Sequence, residues 1–266
     1  MKTQHKTTLG LLAGAACLLS AHTFAAPITE FNFNVGGGFV NGSGTCNPGV
    51  DPCGISYSGS DAITGDPLRV TWGDPANGSD TSFLEVEHNP FSYASITTNG
   101  GWFVIDAFHH SNFTLWASGG WLNFVQVAAM FELLTPTNDL VFATAGINNV
   151  NFNETLNEEP CDDPRPGGNI TICDDVLQTE VLEVNIPLLI GDYIYSLSFG
   201  YMAGPGTFVE DQGDGTVKIW TGENQLSTLY TVARIDVRPV PEPGTLALFG
   251  LSLLGMGAYA RRRKQH

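Results

Sequence analysis

In the segment Phe83-Leu84-Glu85-Val86-Glu87 apolar and acidic side chains alternate from Leu84 to Glu87, and in Val217-Lys218-Ile219-Trp220 a basic residue separates the first two apolar ones. A period of two is typical of a β-strand that buries one of its faces. Seven further stretches are rich in Val, Ile, Phe, Tyr and Trp, and we expect them to be extended as well: 31–35, 68–72, 102–108, 122–131, 139–143, 193–199 and 229–237.

Turn-forming residues separate these stretches. Glycine and asparagine, which tolerate a positive φ, occur at 36–38, 99–101, 119–120 and 214–215. Helical periodicity is rare, and even 124–134, which could be argued as a helix, is rich in Val and Phe and favours a strand. The pattern predicts one all-β domain over residues 26–239, an antiparallel β-sandwich of jelly-roll type.

Charge is distributed unevenly along the 266 residues. The formal net charge is −16, but six of the eleven basic residues lie in the first 25 or the last 26 positions. The other five accompany 26 of the 27 acidic residues, so the body between the ends carries −21. Phosphate binding needs clustered Lys and Arg, and this composition therefore argues against nucleic acid as a partner.

The N-terminus has the layout of a secretory signal peptide. Two lysines precede the apolar run 9–19, which is short for a membrane span, and small residues follow it. We expect cleavage after Ala25, which removes the signal peptide 1–25. The alternative is a lipoprotein signal that lipidates Cys17, in which Gly14 would have to take the place of a leucine.

The C-terminal tail, residues 240–266, joins a Pro-Glu-Pro element to an apolar segment and a basic cluster. Residues 245–260 have almost no polar side chains, and Arg261-Arg262-Arg263-Lys264 follows them. The segment is long enough for a short transmembrane helix, and the positive-inside rule places its basic end in the cytoplasm and the body outside. A simple tail anchor and a buried C-terminal helix are the alternatives.

The order of these elements closely resembles the PEP-CTERM sorting signal of Gram-negative bacteria. The resemblance implies recognition by an exosortase, a membrane cysteine protease, and an inner-membrane intermediate with its body in the periplasm. It further implies delivery to the cell surface or to an extracellular matrix with exopolysaccharide, as in a biofilm. Matched by position, the sorting and cleavage signal comprises Pro241, Glu242, Pro243, Arg261, Arg262 and Arg263.

The four cysteines of the body form two local pairs, Cys46 with Cys53 and Cys161 with Cys173, each in a loop rich in Gly, Pro, Asn and Asp. Export to an oxidising compartment makes disulfides the default, and the short spacings favour local pairing. A four-cysteine zinc site is the alternative, but no Cys-x-x-Cys pair is present.

The motifs of common catalytic sites are missing from the body. There is no His-Glu-x-x-His helix, no Gly-x-Ser-x-Gly elbow and no phosphate-binding glycine loop. Glu85 and Glu87 would face the same side of a strand, as a glycoside-hydrolase pair could, but solvated surface acids are the simpler interpretation. We therefore expect no enzymatic activity and no catalytic residue.

Six carboxylates surround the second cysteine pair: Glu158, Glu159, Asp162, Asp163, Asp174 and Asp175. Oxygen ligands at this density could hold Ca²⁺ in an irregular loop, although EF-hand spacing is absent. A solvated acidic loop is the simpler interpretation. We expect no cofactor and no metal ligand, with Ca²⁺ as the alternative.

A second resemblance rests on Phe108-His109-His110-Ser111-Asn112-Phe113. Its neighbours in that resemblance are Thr71-Trp72-Gly73, the segment Phe152-Asn153-Glu154-Thr155-Leu156-Asn157 with the Cys161 that follows, and the sorting tail. Together they resemble the THxN family of PEP-CTERM proteins. His110 and Asn112 match the family motif, while His109 stands in place of its leading threonine. The resemblance implies no particular chemistry.

Two functions from different classes follow. The first is a non-catalytic surface or matrix protein associated with exopolysaccharide. The second is a carbohydrate-binding module in which exposed tryptophans stack on sugars, with or without Ca²⁺. Two or more exposed tryptophans on one concave face would favour the second function, and buried ones the first. The candidates are Trp72, Trp102, Trp116, Trp121 and Trp220.

Overall fold

Fifteen β-strands form the body of the protein in a computed structural model that describes residues 26–47, 53–74, 80–113, 120–155, 160–161, 163–182, 185–240 and 253. The strands are β1 Glu30–Phe39, β2 Thr45–Cys46, β3 Ser56–Ser58, β4 Arg69–Trp72, β5 Ser82–His88, β6 Ser95–Thr97, β7 Phe103–Ser111, β8 Leu122–Leu134, β9 Leu140–Asn153, β10 Asp175–Glu180, β11 Ile186–Ile190, β12 Tyr193–Ala203, β13 Thr207–Asp211, β14 Thr216–Thr221 and β15 Leu226–Pro239.

The strands pair into two antiparallel sheets. The first sheet has the order β13-β14-β10-β9-β8-β1-β6, and β2 adds to β8. The second sheet has the order β11-β12-β15-β7-β5-β4-β3. Side chains from both sheets meet in a common interior, so the predicted all-β, sandwich-like fold is confirmed.

All nine stretches expected to be extended lie on strands, with three of them beginning one residue early. In β5 the alternation sorts the faces as predicted, because Leu84 and Val86 are buried while Glu85 and Glu87 are not. Six strands were not predicted: β2, β3, β6, β10, β11 and β13. Three of these have only two or three residues, too few to show a period.

The predicted turn at residues 36–38 is wrong, because all three glycines lie inside β1. Gly37 has φ +129°, and a Cβ there would lie 2.2 Å from the carbonyl oxygen of Ala128 on the neighbouring strand. A Cβ on Gly38 would meet the carbonyl oxygen of Pro67 at 2.3 Å. These glycines permit close backbone approach rather than a turn.

The interior divides into two clusters of buried side chains. The Trp72 cluster comprises Phe39, Val70, Trp72, Leu84, Val86, Leu122, Val125, Val150, Phe152, Leu177, Val217, Ile219 and Leu229. The Phe131 cluster comprises Phe31, Phe33, Val35, Ile96, Ile105, Phe131, Leu133, Tyr195, Leu197, Phe199, Ala233 and Ile235. Both sheets contribute to each cluster, and burial of these residues supplies the main driving force for folding.

Candidate functional site

The predicted sorting signal, Pro241, Glu242, Pro243, Arg261, Arg262 and Arg263, lies outside the described residues, and so does the predicted signal peptide 1–25. Within the part of the chain that the structure describes, no helix is long and apolar enough to cross a membrane. The transmembrane helix expected between residues 245 and 260 falls on undescribed residues apart from Leu253. β15 ends at Pro239, immediately before this tail.

Both predicted disulfides are present and bracket the Trp72 cluster. Cys46 is bonded to Cys53, and the carbonyl oxygen of Cys53 accepts a hydrogen bond from the backbone N–H of Gly73, next to Trp72. Cys161 is bonded to Cys173. The local pairing expected from spacing is therefore confirmed.

His110 is the centre of a buried polar cluster on β7. Its ring stacks on Trp72 with centroids 5.8 Å apart and meets Phe152 edge-on at 5.1 Å. Its Nδ1 lies 2.8 Å from the hydroxyl of Thr221 on β14. Burial lowers the pKa of His110 to about 3, so the imidazole is neutral at physiological pH.

Asn112, two residues further along, is fully buried and donates from Nδ2 to Oδ2 of Asp175 at 2.5 Å. The other oxygen of Asp175 accepts the backbone N–H of Thr155 at 2.8 Å. The hydroxyl of Thr155 donates to the carbonyl oxygen of Cys173 at 3.1 Å. Asn112 is thus tied to β10, to the end of β9 and, through Thr155, to the second disulfide.

Three acidic side chains meet beside this cluster. Glu154 accepts the indole N–H of Trp72 at 3.1 Å, and burial raises the pKa of its carboxyl to about 8, with Glu223 adding to the increase. Burial raises the pKa of Asp175 well above its ordinary value, and the carboxyls of Glu154 and Glu223 raise it further. At neutral pH the carboxyl of Glu154 therefore holds a proton that an exposed carboxyl would have released.

Three landmarks of the second resemblance therefore converge in space. Trp72, His110, Asn112, Phe152 and Glu154 come from three separate segments, and with Asp175 they form one contact network. His110 and Asn112 are at most 1% exposed, and this network joins two sheets and a disulfide loop. Sequence reasoning missed Thr221, and it grouped Asp175 with the acids of the disulfide loop rather than with Asn112.

The side chain of His109 lies on the face of β7 opposite to that of His110. Its Nδ1 lies 3.1 Å from the hydroxyl of Thr228, and its Nε2 lies 3.2 Å from Oε2 of the exposed Glu87. The acid suggested as one half of a hydrolase pair is thus a surface partner of a histidine. At such exposure the ion pair contributes little to stability.

A second polar cluster, which sequence reasoning missed, surrounds His88 at the end of β5. His88 Nδ1 lies 2.6 Å from Oδ1 of Asp106, and its Nε2 lies 3.2 Å from the carbonyl oxygen of Gly37 and 3.5 Å from Oδ2 of Asp61. Burial would lower the pKa of His88, but the hydrogen bond and charge of Asp106, together with Asp61, raise it. Burial raises the pKa of Asp106 despite His88.

A cavity of about 100 Å³ lies between the sheets. Its wall is mostly apolar, with Val86, Val150 and Leu229 among the lining residues, and His88 and Asp106 at one side. A space of this size holds a few water molecules or a small apolar group. The charged groups in its lining, His88 and Asp106, bind each other.

The tryptophans are largely used in packing. Trp72 and Trp220 are at most 2% exposed, and Trp121 packs against the Trp72 cluster. Trp102 is 44% exposed and lies under the guanidinium of Arg234 at 4.9 Å. Trp116 is outside the described residues. Among the described tryptophans, one exposed ring does not make the concave aromatic face that sugar binding would favour.

The acidic loop near the second disulfide is partly internal rather than wholly solvated. Asp174 is buried and accepts the backbone N–H groups of Ile170 and Thr171 at 2.6 and 2.8 Å. Asp163 accepts from Nζ of Lys218 at 2.6 Å. Among the described residues no group of three His, Cys, Asp or Glu side chains could hold a metal ion.

Residues 239–264 match the family model described as the PEP-CTERM protein-sorting motif. The chain therefore carries this motif, as the sequence predicted, and the motif is the one that an exosortase recognises. It marks an exported protein that passes through a membrane-anchored intermediate. No curated protein matches the chain. Membership of the THxN family stays a prediction.

Proposed function

We propose that this protein is a non-catalytic component of the bacterial surface or extracellular matrix, released by an exosortase and associated with exopolysaccharide. The sorting motif at residues 239–264 is the observation that carries the proposal, because export through a membrane-anchored intermediate supports an extracellular destination for the body. The body itself supports a structural role. Its distinctive motif residues are buried in a locking network, and its two disulfides suit an oxidising environment.

The sorting step is tested by changing Pro241, Glu242 and Pro243 to alanine in the native host. The variant is expected to accumulate in the membrane as the full-length chain, because the exosortase no longer recognises it. Pro164-Arg165-Pro166 in the disulfide loop is a second Pro-x-Pro tripeptide and supplies the matched control. Pro164→Ala with Pro166→Ala should leave processing unchanged. Normal release of the first variant, seen by immunoblot of membrane and medium, would refute the proposal.

The matrix association is tested separately by pull-down of the released protein with purified exopolysaccharide, with and without Ca²⁺. Retention without measurable turnover of the polysaccharide is expected. Trp102→Ala distinguishes the glycan-binding alternative, since Trp102 is the exposed one among the described tryptophans. Loss of retention in that variant would favour direct sugar stacking. Failure of wild-type protein to co-fractionate with polysaccharide would contradict the matrix role while leaving the sorting step intact.

A further inference from the structure

Strand β9 has an unpaired edge over most of its length. On one side β9 pairs with β8 from Leu140 to Asn151. On the other side β10 pairs with it only at Asn151, Phe152 and Asn153. Among the described residues, no strand pairs with this second side over residues 140–150. We call this stretch the free edge.

The free edge exists because β10 separates from β9 after Gln178 and ends at Glu180, while it stays paired with β14. Gln178 is the last residue of β10 that pairs with β9, and the chain then continues to β11, which lies in the second sheet. Thr179 and Asn148, just past the last pair, both line the cavity between the sheets. The separation of the two strands therefore leaves β9 without a neighbour for eleven residues, roughly 35 Å of extended chain.

Unpaired backbone groups along this edge can accept another strand. In an antiparallel ladder every second residue of β9 directs its N–H and C=O towards β8, and the alternate residues direct theirs away from it. The side chains are also accessible, since Leu140 is 59% and Ile147 56% exposed. A long accessible edge is a template for pairing.

The terminal strands of the two sheets are protected by comparison. β3 and β6 have three residues each, and β11 contains Pro187. β13 has five residues and ends in Glu210 and Asp211. Short length, proline and charge are the usual means of preventing edge association. By contrast, β9 has fourteen residues with no proline and no charged side chain.

The chemistry of the free edge favours a second copy of this chain as its partner. The protein carries −16, so two copies repel each other over most of their surface, and an uncharged segment is where that repulsion is weakest. A basic partner would need acidic side chains along the edge, and residues 140–150 contain none. A sugar would need aromatic platforms, and the one aromatic ring in this stretch, Phe142, packs inward. An identical antiparallel strand satisfies every free backbone group about a two-fold axis.

We propose that the protein forms a symmetric dimer by antiparallel pairing of the free edges of two copies, with the two-fold axis near Ala145. The pairing joins the first sheets of the two molecules through backbone hydrogen bonds. This inference rests on the fold alone and is independent of the sorting proposal.

The test introduces lysines into the free edge of the full chain purified in detergent micelles. Ala145→Lys with Ile147→Lys places two like charges on the outward face, where both side chains are exposed and the core is untouched. Asn151→Lys with Asn153→Lys is the matched control, because it adds the same charge to the same face of β9 where β10 already covers the edge. Sedimentation velocity is measured over a range of protein concentrations.

Wild type and control are expected to sediment as dimers that dissociate on dilution, and the free-edge variant as a monomer at every concentration. Hydrogen exchange gives a second measure. In wild type the amides of residues 140–150 should gain protection as concentration rises, while the variant should show none of this gain. A monomeric wild type, a dimeric free-edge variant with native circular dichroism, or protection that appears only after exopolysaccharide is added would each overturn the proposal.

Discussion

The two core clusters are built by different means. In the Phe131 cluster aromatic rings contact one another. The ring centroids of Phe31 and Tyr195 are 5.3 Å apart, and those of Phe131 and Phe199 are 5.0 Å apart. In the Trp72 cluster Trp72 and Phe152 also contact each other, but both rings contact a neutral histidine as well, and three acidic side chains lie at the border. We expect the stability of the first arrangement to depend mainly on packing, and that of the second to depend also on protonation and on the disulfides beside it.

Truncating one ring in each cluster gives the largest expected effect. Trp72→Ala and Phe131→Ala should each lower the free energy of unfolding by about 3–5 kcal/mol, because each leaves a cavity. Trp72→Ala should lie at the upper end, since Glu154 also loses its indole donor. Trp72→Phe separates the two contributions by keeping most of the volume without the N–H. Urea unfolding followed by fluorescence measures all three, and a loss below about 1 kcal/mol for Trp72→Ala would contradict the comparison.

Most of the pH dependence of stability should come from the titratable groups beside the Trp72 cluster. Glu154 has an ordinary pKa of 4.5 and a folded pKa of about 8, so the folded chain binds more protons than the unfolded chain within that window. Stability therefore falls as pH rises through it, by about 5 kcal/mol in total, and Asp175 acts in the same direction. His110 has the opposite effect, and it lowers stability as pH falls from 6.5 towards 3.

Glu154→Gln should flatten the decline above pH 5, measured as unfolding free energy against pH. The substitution should not abolish the decline, because His88, whose pKa is also raised, contributes in the same direction. Glu85→Gln on the outer face of β5 is the control and should keep the wild-type slope. An unchanged slope in Glu154→Gln would show that the border carboxyls are not linked to folding.

Removing the disulfides beside the Trp72 cluster should have a smaller effect on the free energy of unfolding. Cys161→Ser with Cys173→Ser should lower stability by about 2–3 kcal/mol, because the unfolded chain regains the entropy of a closed loop. The Cys46–Cys53 disulfide closes a shorter loop, because its cysteines are seven residues apart and those of the other disulfide are twelve apart. Cys46→Ser with Cys53→Ser should therefore lower stability slightly less. Limited proteolysis of the reduced protein should cut first near residues 160–174. First cleavage in the hairpin of β11 and β12, on the Phe131 side, would reverse the comparison.

Local patterns predicted the fold class and most of the strands because each depends on neighbours in sequence. The alternation in β5 reports one buried face, and the seven-residue spacing of Cys46 and Cys53 suffices for a bridge. The glycines at 36–38 misled for the same reason. A glycine tolerates both a turn and a close strand approach, and the carbonyl oxygen of Ala128 that decides between them is distant in sequence.

The acidic segment near the second disulfide shows the other limit. Asp174 and Asp175 look like surface acids in a row of carboxylates. Asp174 caps its own loop, and Asp175 begins a central strand and binds Asn112, 63 residues away in sequence. Composition cannot distinguish a buried acid from a solvated one, because burial is set by which strands flank it.

The sequence by itself determined that the protein is exported and what class of fold it has, since the sorting motif and the period-two alternation are both contiguous along the chain. Tertiary structure alone decided the rest. It brought Trp72, His110, Glu154 and Asp175 into one buried network, and it left residues 140–150 of β9 without a neighbour. Both outcomes depend on which distant strands pair and where β10 separates from β9, and no local pattern encodes that.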